Sequence, residues 1–169
     1  MTVRMGRVAV VALLAAALAA GGLLWWLQTR AYYDEPVRAD EVILTLDGRE
    51  VALPADLTSI DAASSPLRYR ACFALAGPMT GTPTAPEFAS PTVAPGWFDC
   101  FDANAIGADL EAGRALAVLS EADVTYGVDR IAAIYPDGTG RAWHQINRCG
   151  RAAFDGEPVP EGCDPPPGG

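Results

Sequence analysis

Five side chains of this chain could support redox, metal or nucleophilic chemistry: four cysteines and the single histidine. They are Cys72, Cys100, Cys149, Cys163 and His144. A thiol–disulfide oxidoreductase needs two cysteines spaced Cys-x-x-Cys, so that one thiolate attacks and the other resolves. A structural zinc site needs two such pairs or paired histidines. No two cysteines here are that close, so the spacing favours structural disulfides.

The even number of cysteines also favours disulfides, provided that the domain is exported to an oxidising compartment. Of the three possible connectivities we favour Cys72–Cys100 and Cys149–Cys163, because each joins neighbours along the chain. We expect Cys149 to end the last strand, so that its bridge folds the tail back onto the sheet edge.

A periplasmic thiol-redox or copper-handling assembly factor is the alternative function for these residues. It would use Cys72, Cys100 or His144. The copper-delivery motif Cys-Phe-Cys-Phe contains two cysteines, however, and the segment "DCFD" (99–102) supplies only one.

His144 is the candidate for a functional side chain, because histidine is the usual general acid or base near neutral pH. In a strand it shares one face with Ala142 and Ile146, where a histidine is more often packed and hydrogen-bonded. The sequence has no Gly-x-Ser-x-Gly elbow and no lysine for a phosphate-binding loop. A small hydrolase centred on His144 is therefore the weaker alternative, and we expect a non-enzymatic protein without cofactor, metal or catalytic residue.

Residues 8–27 form an uncharged apolar run of about 20 residues, the length at which a helix crosses a bilayer. Trp25 and Trp26 stand at its end, where indole rings favour the membrane interface. A cleaved signal peptide is the alternative, since residues 17–19 (Ala-Leu-Ala) offer a cleavage pattern. That pattern lies inside the apolar run, which favours an uncleaved transmembrane helix.

The charges around this run predict its orientation. Arg4 and Arg7 precede it, whereas acidic residues follow soon after it. By the positive-inside rule, residues 1–7 stay in the cytoplasm and the C-terminal part is exported. We therefore predict a single-pass protein of the bacterial inner membrane with a juxtamembrane linker at 28–40 and a periplasmic domain.

The exported part is strongly acidic, which limits its partners. Residues 31–169 contain nine arginines, 21 acidic residues and no lysine, a net charge of −12. Nucleic acids and anionic lipids select for positive charge, so both are excluded as partners. Another membrane or envelope protein is the expected partner.

The first half of the domain predicts strands. Residues 41–53 read as a β-hairpin, with Asp47-Gly48 as the tight turn between alternating apolar positions. Residues 67–75 read as a strand with one apolar face, and its opposite face carries Arg68, Arg70 and Cys72. We expect the two arginines to face solvent.

The middle of the chain predicts a loop and then a helix. Residues 77–96 contain five prolines and read as a mobile surface loop. Asp102 is a good N-cap for the helix that follows, and Gly113 can end that helix. The same stretch faintly resembles a calcium loop, but Ile106 and Gly113 stand where oxygen ligands are required, which excludes calcium.

The remaining strands complete an α+β domain with a mostly antiparallel sheet, about six strands and one main helix. Residues 115–119 form a short strand, and residues 130–135 and 141–147 flank "PDGTG" as a hairpin. We place the domain at 41–155, followed by a Pro- and Gly-rich tail at 156–169.

Four stretches of the sequence carry a family resemblance: "SSPLRYRACF" (64–73), "APGWFDCFDANAIGADLEAG" (94–113), "YGVDRIAAIYPDGTGRAWHQINRCG" (126–150) and "FDGEPVPEGC" (154–163). They resemble a family of small single-pass membrane proteins from alphaproteobacteria that is described only as a domain of unknown function. The resemblance implies the same localisation and cysteine pattern, and it assigns no catalytic residue. The best hypothesis is therefore a membrane-anchored periplasmic accessory or interaction protein stabilised by two disulfides.

Overall fold

The structure is a computed structural model that describes residues 2–167. It begins with a long helix, α1 (Thr2–Trp26), which continues directly into a π-helical segment at Leu27–Ala31. The part Met5–Ala31 contains an 18-residue window with a mean hydropathy of 2.4, and no residue of that window is buried against the rest of the chain. It is therefore long and apolar enough to cross a membrane, and it contains the predicted run 8–27.

Six strands and two further helices follow α1, which confirms the predicted α+β class. The strands are β1 (Val37–Leu46), β2 (Arg49–Ile60), β3 (Arg70–Leu75), β4 (Leu116–Thr125), β5 (Val128–Ile134) and β6 (Thr139–Ile146). They form one sheet in the order β1-β2-β3-β6-β5-β4. Every neighbouring pair is antiparallel.

Two hairpins were predicted correctly from their turns. Asp47 and Gly48 both have positive φ, 50° and 73°, which is the requirement of a type I′ turn between twisted strands. The "PDGTG" turn joins β5 to β6. The limits of the strands differ from the prediction, most at four of them: β1 begins at Val37, inside the predicted linker, β2 continues to Ile60 rather than 53, β3 begins at Arg70 rather than 67, and β4 continues to Thr125 rather than 119. The limits of β5 and β6 differ by one or two residues.

The sheet curls until its two edge strands meet. Thr45 on β1 donates its hydroxyl to the carbonyl of Ser120 on β4 at 3.0 Å, and the Ser120 hydroxyl donates to the carbonyl of Ile43. Between the edges lies part of the loop 77–96. The amide of Thr84 donates to Thr45 at 2.9 Å and its carbonyl accepts from Leu119 at 2.8 Å. The domain is thus a small barrel closed partly by its loop.

Apolar residues at alternate strand positions fill the inside of the barrel. They are Val42, Leu44, Leu46, Ala55, Leu57, Ala71, Phe73, Val118, Ala132, Ile134 and Ala142. A second cluster covers the outer face of the central strands and consists of Ile60, Phe98, Phe101, Ile106, Ala115, Ile131, Ala133 and Trp143. The two clusters make the sheet buried on both sides over its central strands.

The helix α2 (Ala103–Glu111) lies at the predicted place in the chain, and it covers the outer face of the sheet. The Asp102 carboxylate accepts hydrogen bonds from the amides of Asn104 and Ala105, which confirms the N-cap. Gly113 follows the helix with φ 67°, as a C-terminal glycine should.

Among the described residues, no group of His, Cys, Asp or Glu is arranged to hold a metal ion.

The helix α3 (Arg148–Asp155) was not predicted. The Asn147 side chain caps its first turn by accepting from the amide of Gly150, and Gly156 ends it with φ 71°. Cys149 therefore lies in the first turn of α3, and the prediction that it ends the last strand was wrong. The helix was missed because it is only eight residues long, which is shorter than the window over which a helical period is read from a sequence.

We predict that Gly140→Ala will destabilise the barrel by about 1–3 kcal/mol, because overpacking of a filled core is costly. Gly140 pairs with Phe73 across β6 and β3, and a Cβ at Gly140 would overlap the Phe73 ring. Urea denaturation of the purified domain would measure the change.

Gly107→Ala is the matched control. Gly107 lies inside α2 with open space around its Cα, so alanine should stabilise the protein by about 0.5–1 kcal/mol. Equal unfolding midpoints for the two variants would contradict the packing of Phe73 against Gly140.

Candidate functional site

His144 lies at one end of the barrel interior, on the inward face of β6 that it shares with Ala142. It is only 5% exposed. Its Nδ1 is 2.6 Å from the carbonyl oxygen of Pro66, and its Nε2 accepts a hydrogen bond from Nε of Arg130 at 3.0 Å. The carbonyl can only accept and the guanidinium can only donate, so the ring is neutral with its proton on Nδ1.

Three neighbours complete a stacked polar cluster around this ring. Tyr69 stacks on His144 with ring centroids 4.7 Å apart, and the Arg130 guanidinium lies 4.3 Å from the Tyr69 centroid. Glu121 forms an ion pair with Arg130. The cluster closes this end of the barrel, and each member holds another in place.

The environment suppresses the charged form of the histidine. Burial, together with the positive charge of Arg130, lowers the pKa of His144 to about 4, against a smaller raising effect of the Pro66 carbonyl. Burial also raises the pKa of the Tyr69 hydroxyl. With both ring nitrogens bonded inside the protein, His144 has the packed and hydrogen-bonded environment expected from its strand position.

The structure joins Cys72 to Cys100 and Cys149 to Cys163, the connectivity favoured from the sequence. All four cysteines are bridged, so no thiolate is available for metal binding or disulfide exchange without prior reduction. The first bridge links β3 to the segment before α2.

The first bridge is half-buried at Cys72 and exposed at Cys100. Phe98 and Phe101 are buried in the outer cluster, which also contacts Cys72. Asp99 is exposed. The carbonyl of Cys100 accepts a hydrogen bond from Arg141 at 2.7 Å.

Arg70 is buried, and the expectation that it faces solvent was wrong. Only 4% of it is exposed. Its guanidinium donates to four backbone carbonyls, those of Leu67 and Tyr69 in its own segment and those of Thr92 and Val93 in the loop 77–96. Burial lowers the pKa of the Arg70 guanidinium to about 10. Strand alternation placed Arg70 on the outer face correctly, but it did not reveal that the loop covers that face.

Gln145 attaches the same loop further along β6. Its side-chain amide donates to the carbonyl of Phe88 at 2.9 Å and accepts from the amide of Ser90 at 2.9 Å. The loop has no helix or regular strand of its own within the described residues, yet it is hydrogen-bonded to four strands, β1, β3, β4 and β6. Its mobility stays a prediction.

A shallow groove of about 270 Å³ lies between this loop and α3. Its apolar lining comes from Leu67, Phe88, Ile146 and Phe154. Phe154 is 63% exposed, which is unusual for so large an apolar side chain beside a groove. The sequence did not reveal this groove, because its residues come from three stretches that lie far apart in the chain, at 67, 88–92 and 145–155.

We predict that stability falls as the pH decreases from about 6.5 to about 4, with His144 contributing about 1–3 kcal/mol of the loss. The pKa of His144 is lower in the folded protein than in the unfolded chain, so in this interval the unfolded chain binds more protons. The contribution of His144 is therefore complete above pH 6.5 and is lost below it. Urea denaturation at several pH values measures the profile.

The variant His144→Gln isolates this effect, since glutamine keeps an amide that can donate and accept but does not titrate there. We expect a modest loss of stability at pH 7.5 and a flatter profile between pH 4 and 6.5. Parallel profiles for the variant and the natural protein would contradict the buried neutral histidine.

We predict that Cys100→Ser will cost about 2–5 kcal/mol, the usual effect of losing a disulfide in a small exported domain. Cys163→Ser should cost less, because its bridge mainly holds the tail to α3. Denaturation measures both, and peptide mapping without reduction checks the remaining bridge. A larger loss of stability for Cys163→Ser than for Cys100→Ser would contradict the greater contribution that we assign to the Cys72–Cys100 bridge.

The comparisons with known proteins concern the barrel domain. Residues 42–164, which include all four cysteines and His144, match a family of unknown function, DUF6446. No curated protein and no solved structure matches the chain. Since the match covers most of the chain, including five full strands and both helices of the domain, this protein belongs to the family of unknown function DUF6446.

Proposed function

We propose that this protein is a non-enzymatic, membrane-anchored interaction protein of the bacterial inner membrane, whose barrel domain binds another envelope protein in the periplasm. The apolar helix Met5–Ala31 supports the anchor. The two disulfides support an oxidising compartment. Arg4 and Arg7, which precede the apolar run 8–27, support the orientation with the N-terminus in the cytoplasm.

The arrangement of the reactive side chains supports a non-enzymatic role. His144 is neutral, buried and bonded through both nitrogens. The cysteines are held in two bridges that connect structural segments. A catalytic base must reach the proton it abstracts, and His144 could do so only if the barrel end opened.

The groove beside α3 is the observation that carries the interaction role. Its wall contains the exposed ring of Phe154 and the half-buried ring of Phe88. Arg151 and Asp155 line it, and the Arg151 guanidinium lies 5.0 Å from the Phe88 ring centroid. Next to the lining, Glu87 forms an ion pair with Arg148 at 3.9 Å, and Glu157 is exposed. An apolar centre with a charged rim is the usual anatomy of a protein interface.

The net charge of the exported part indicates the class of partner. The exported residues carry a net charge of −12, so an acidic partner would be repelled during encounter. We therefore propose that the groove binds an apolar segment of another envelope protein that is flanked by basic residues.

We predict that a photo-cross-linking amino acid in place of Phe154 will form one discrete adduct in living cells. The same amino acid in place of Glu111, an exposed residue of α2, should form none. The double variant Glu87→Arg/Glu157→Arg should reduce the adduct by about tenfold, the effect of ~1.4 kcal/mol. Mass spectrometry of the adduct then shows whether the cross-linked segment is apolar with basic flanks.

The control Glu50→Arg changes the charge on the distant β1–β2 hairpin and should leave the adduct unchanged. Equal adducts at positions 154 and 111, or an adduct insensitive to the rim charges, would refute the docking groove. An alkaline phosphatase fused after Gly169, which is active only after export, checks the orientation; an inactive fusion would refute the periplasmic location.

A further inference from the structure

A second groove lies where the membrane helix meets the barrel. The indole nitrogen of Trp97 donates to the carbonyl of Thr29 in the π-helical segment, and the amide of Asp34 donates to the carbonyl of Asp61 at 2.9 Å. Only residues 32–36 separate the π-helical segment from β1. The helix is therefore joined to the barrel by direct contacts, and these contacts leave a groove of about 450 Å³ between the two.

Aromatic rings form the walls of this groove. Its lining includes Trp26, Tyr33 and Trp97. Tyr33 meets Trp97 edge to face with ring centroids 5.7 Å apart. From another side, the Arg68 guanidinium lies 5.3 Å from the Tyr33 centroid and holds that ring in place. The groove is thus lined by rings whose faces attract cations.

The same groove carries charges of both signs that are not paired with one another. Arg30 lies 5.5 Å from the Trp97 ring centroid, and the carboxylates of Asp34 and Glu35 complete the lining. Among residues 5–167, neither the ion pairs nor the side-chain hydrogen bonds include any of these three charged groups. A cationic group and two carboxylates within one groove complement a ligand that carries both charges.

The position of the groove specifies which ligand reaches it. The helical part Met5–Ala31 is 27 residues long, which corresponds to roughly 40 Å of helix. A bilayer measures about 40–45 Å with its headgroup regions included. With Met5–Ala31 across the membrane, Trp26 and Arg30 lie at the level of the phospholipid headgroups on the side of the barrel.

We propose that this groove binds the headgroup of a zwitterionic phospholipid from the membrane in which α1 is anchored. Arg30 pairs with the lipid phosphate, as guanidinium groups commonly do. Asp34 and Glu35 pair with the lipid ammonium group, while the rings of Tyr33 and Trp97 are held by Arg68 and Arg30 and form a rigid wall beside it. The proposal rests on the membrane anchoring that we propose above.

An anionic lipid fits this groove less well for an electrostatic reason. A phosphatidylglycerol headgroup offers the phosphate but no ammonium, so Asp34 and Glu35 would face a negative ligand without compensation. Like charges at such short range oppose binding. The groove should therefore select phosphatidylethanolamine over phosphatidylglycerol, although both lipids would meet Arg30.

Native mass spectrometry of the full-length protein in detergent tests the selection. Phosphatidylethanolamine and phosphatidylglycerol with identical acyl chains are added as an equimolar mixture. We expect the protein to retain the first over the second by about tenfold. Asp34→Asn/Glu35→Gln should bring this ratio close to one, whereas Arg30→Gln should reduce retention of both lipids.

The matched control is Glu111→Gln/Asp137→Asn, which removes two exposed carboxylates from α2 and the β5–β6 turn and should leave the ratio unchanged. Melting curves show that each variant is folded. Equal retention of both lipids, a preference for phosphatidylglycerol, or no effect of the Asp34/Glu35 variant would refute the site. Alkaline carbonate extraction of cell membranes tests the anchor separately: release of the natural protein would refute the anchoring, while the lipid ratio in detergent still reports on the groove.

Discussion

The way in which the two edge strands of the sheet meet determines most of this structure. Within the described residues β1 and β4 share no regular ladder. Instead, Thr45 and Ser120 bond across the gap, and Thr84 bonds to both edges as a short strand would. Exposed edges leave unpaired amides and carbonyls that invite aggregation. Closure removes them and gives the apolar side chains of all six strands one common interior.

Closure also explains why polar residues lie inside the barrel at one end. The inward positions of β5 and β6 continue beyond the apolar layer to Arg130 and His144. Buried polar groups must be hydrogen-bonded, and here the partners are Glu121 and the Pro66 carbonyl, while Tyr69 stacks on the neutral His144 ring and on the Arg130 guanidinium. The network satisfies the buried groups, and its bonding through both His144 nitrogens is the reason for assigning this histidine a structural role.

Features that depend only on neighbouring residues could be predicted from the sequence, whereas the burial of side chains beneath distant segments could not. The Asp47-Gly48 turn and the Asp102 cap depend on neighbouring residues alone, so their patterns predicted them correctly. The burial of Arg70 depends on the carbonyls of a loop more than 20 residues away. The same limit hid both grooves, whose walls come from separate segments. The helix α3 was missed for another reason, because its eight residues are too few to show a helical period.

One short segment before β3 connects the polar cluster and the two grooves. The Pro66 carbonyl bonds to His144, Leu67 lines the groove beside α3, and Arg68 stacks on Tyr33 beside the apolar helix. Arg70 binds the carbonyl of Leu67 and so fixes the segment to the sheet. These successive residues thus face different sites, which places the groove beside α3 close to the second groove, between the helix and the barrel. In the proposed orientation, a protein segment bound beside α3 therefore lies near the membrane surface, which fits a partner that is itself anchored there.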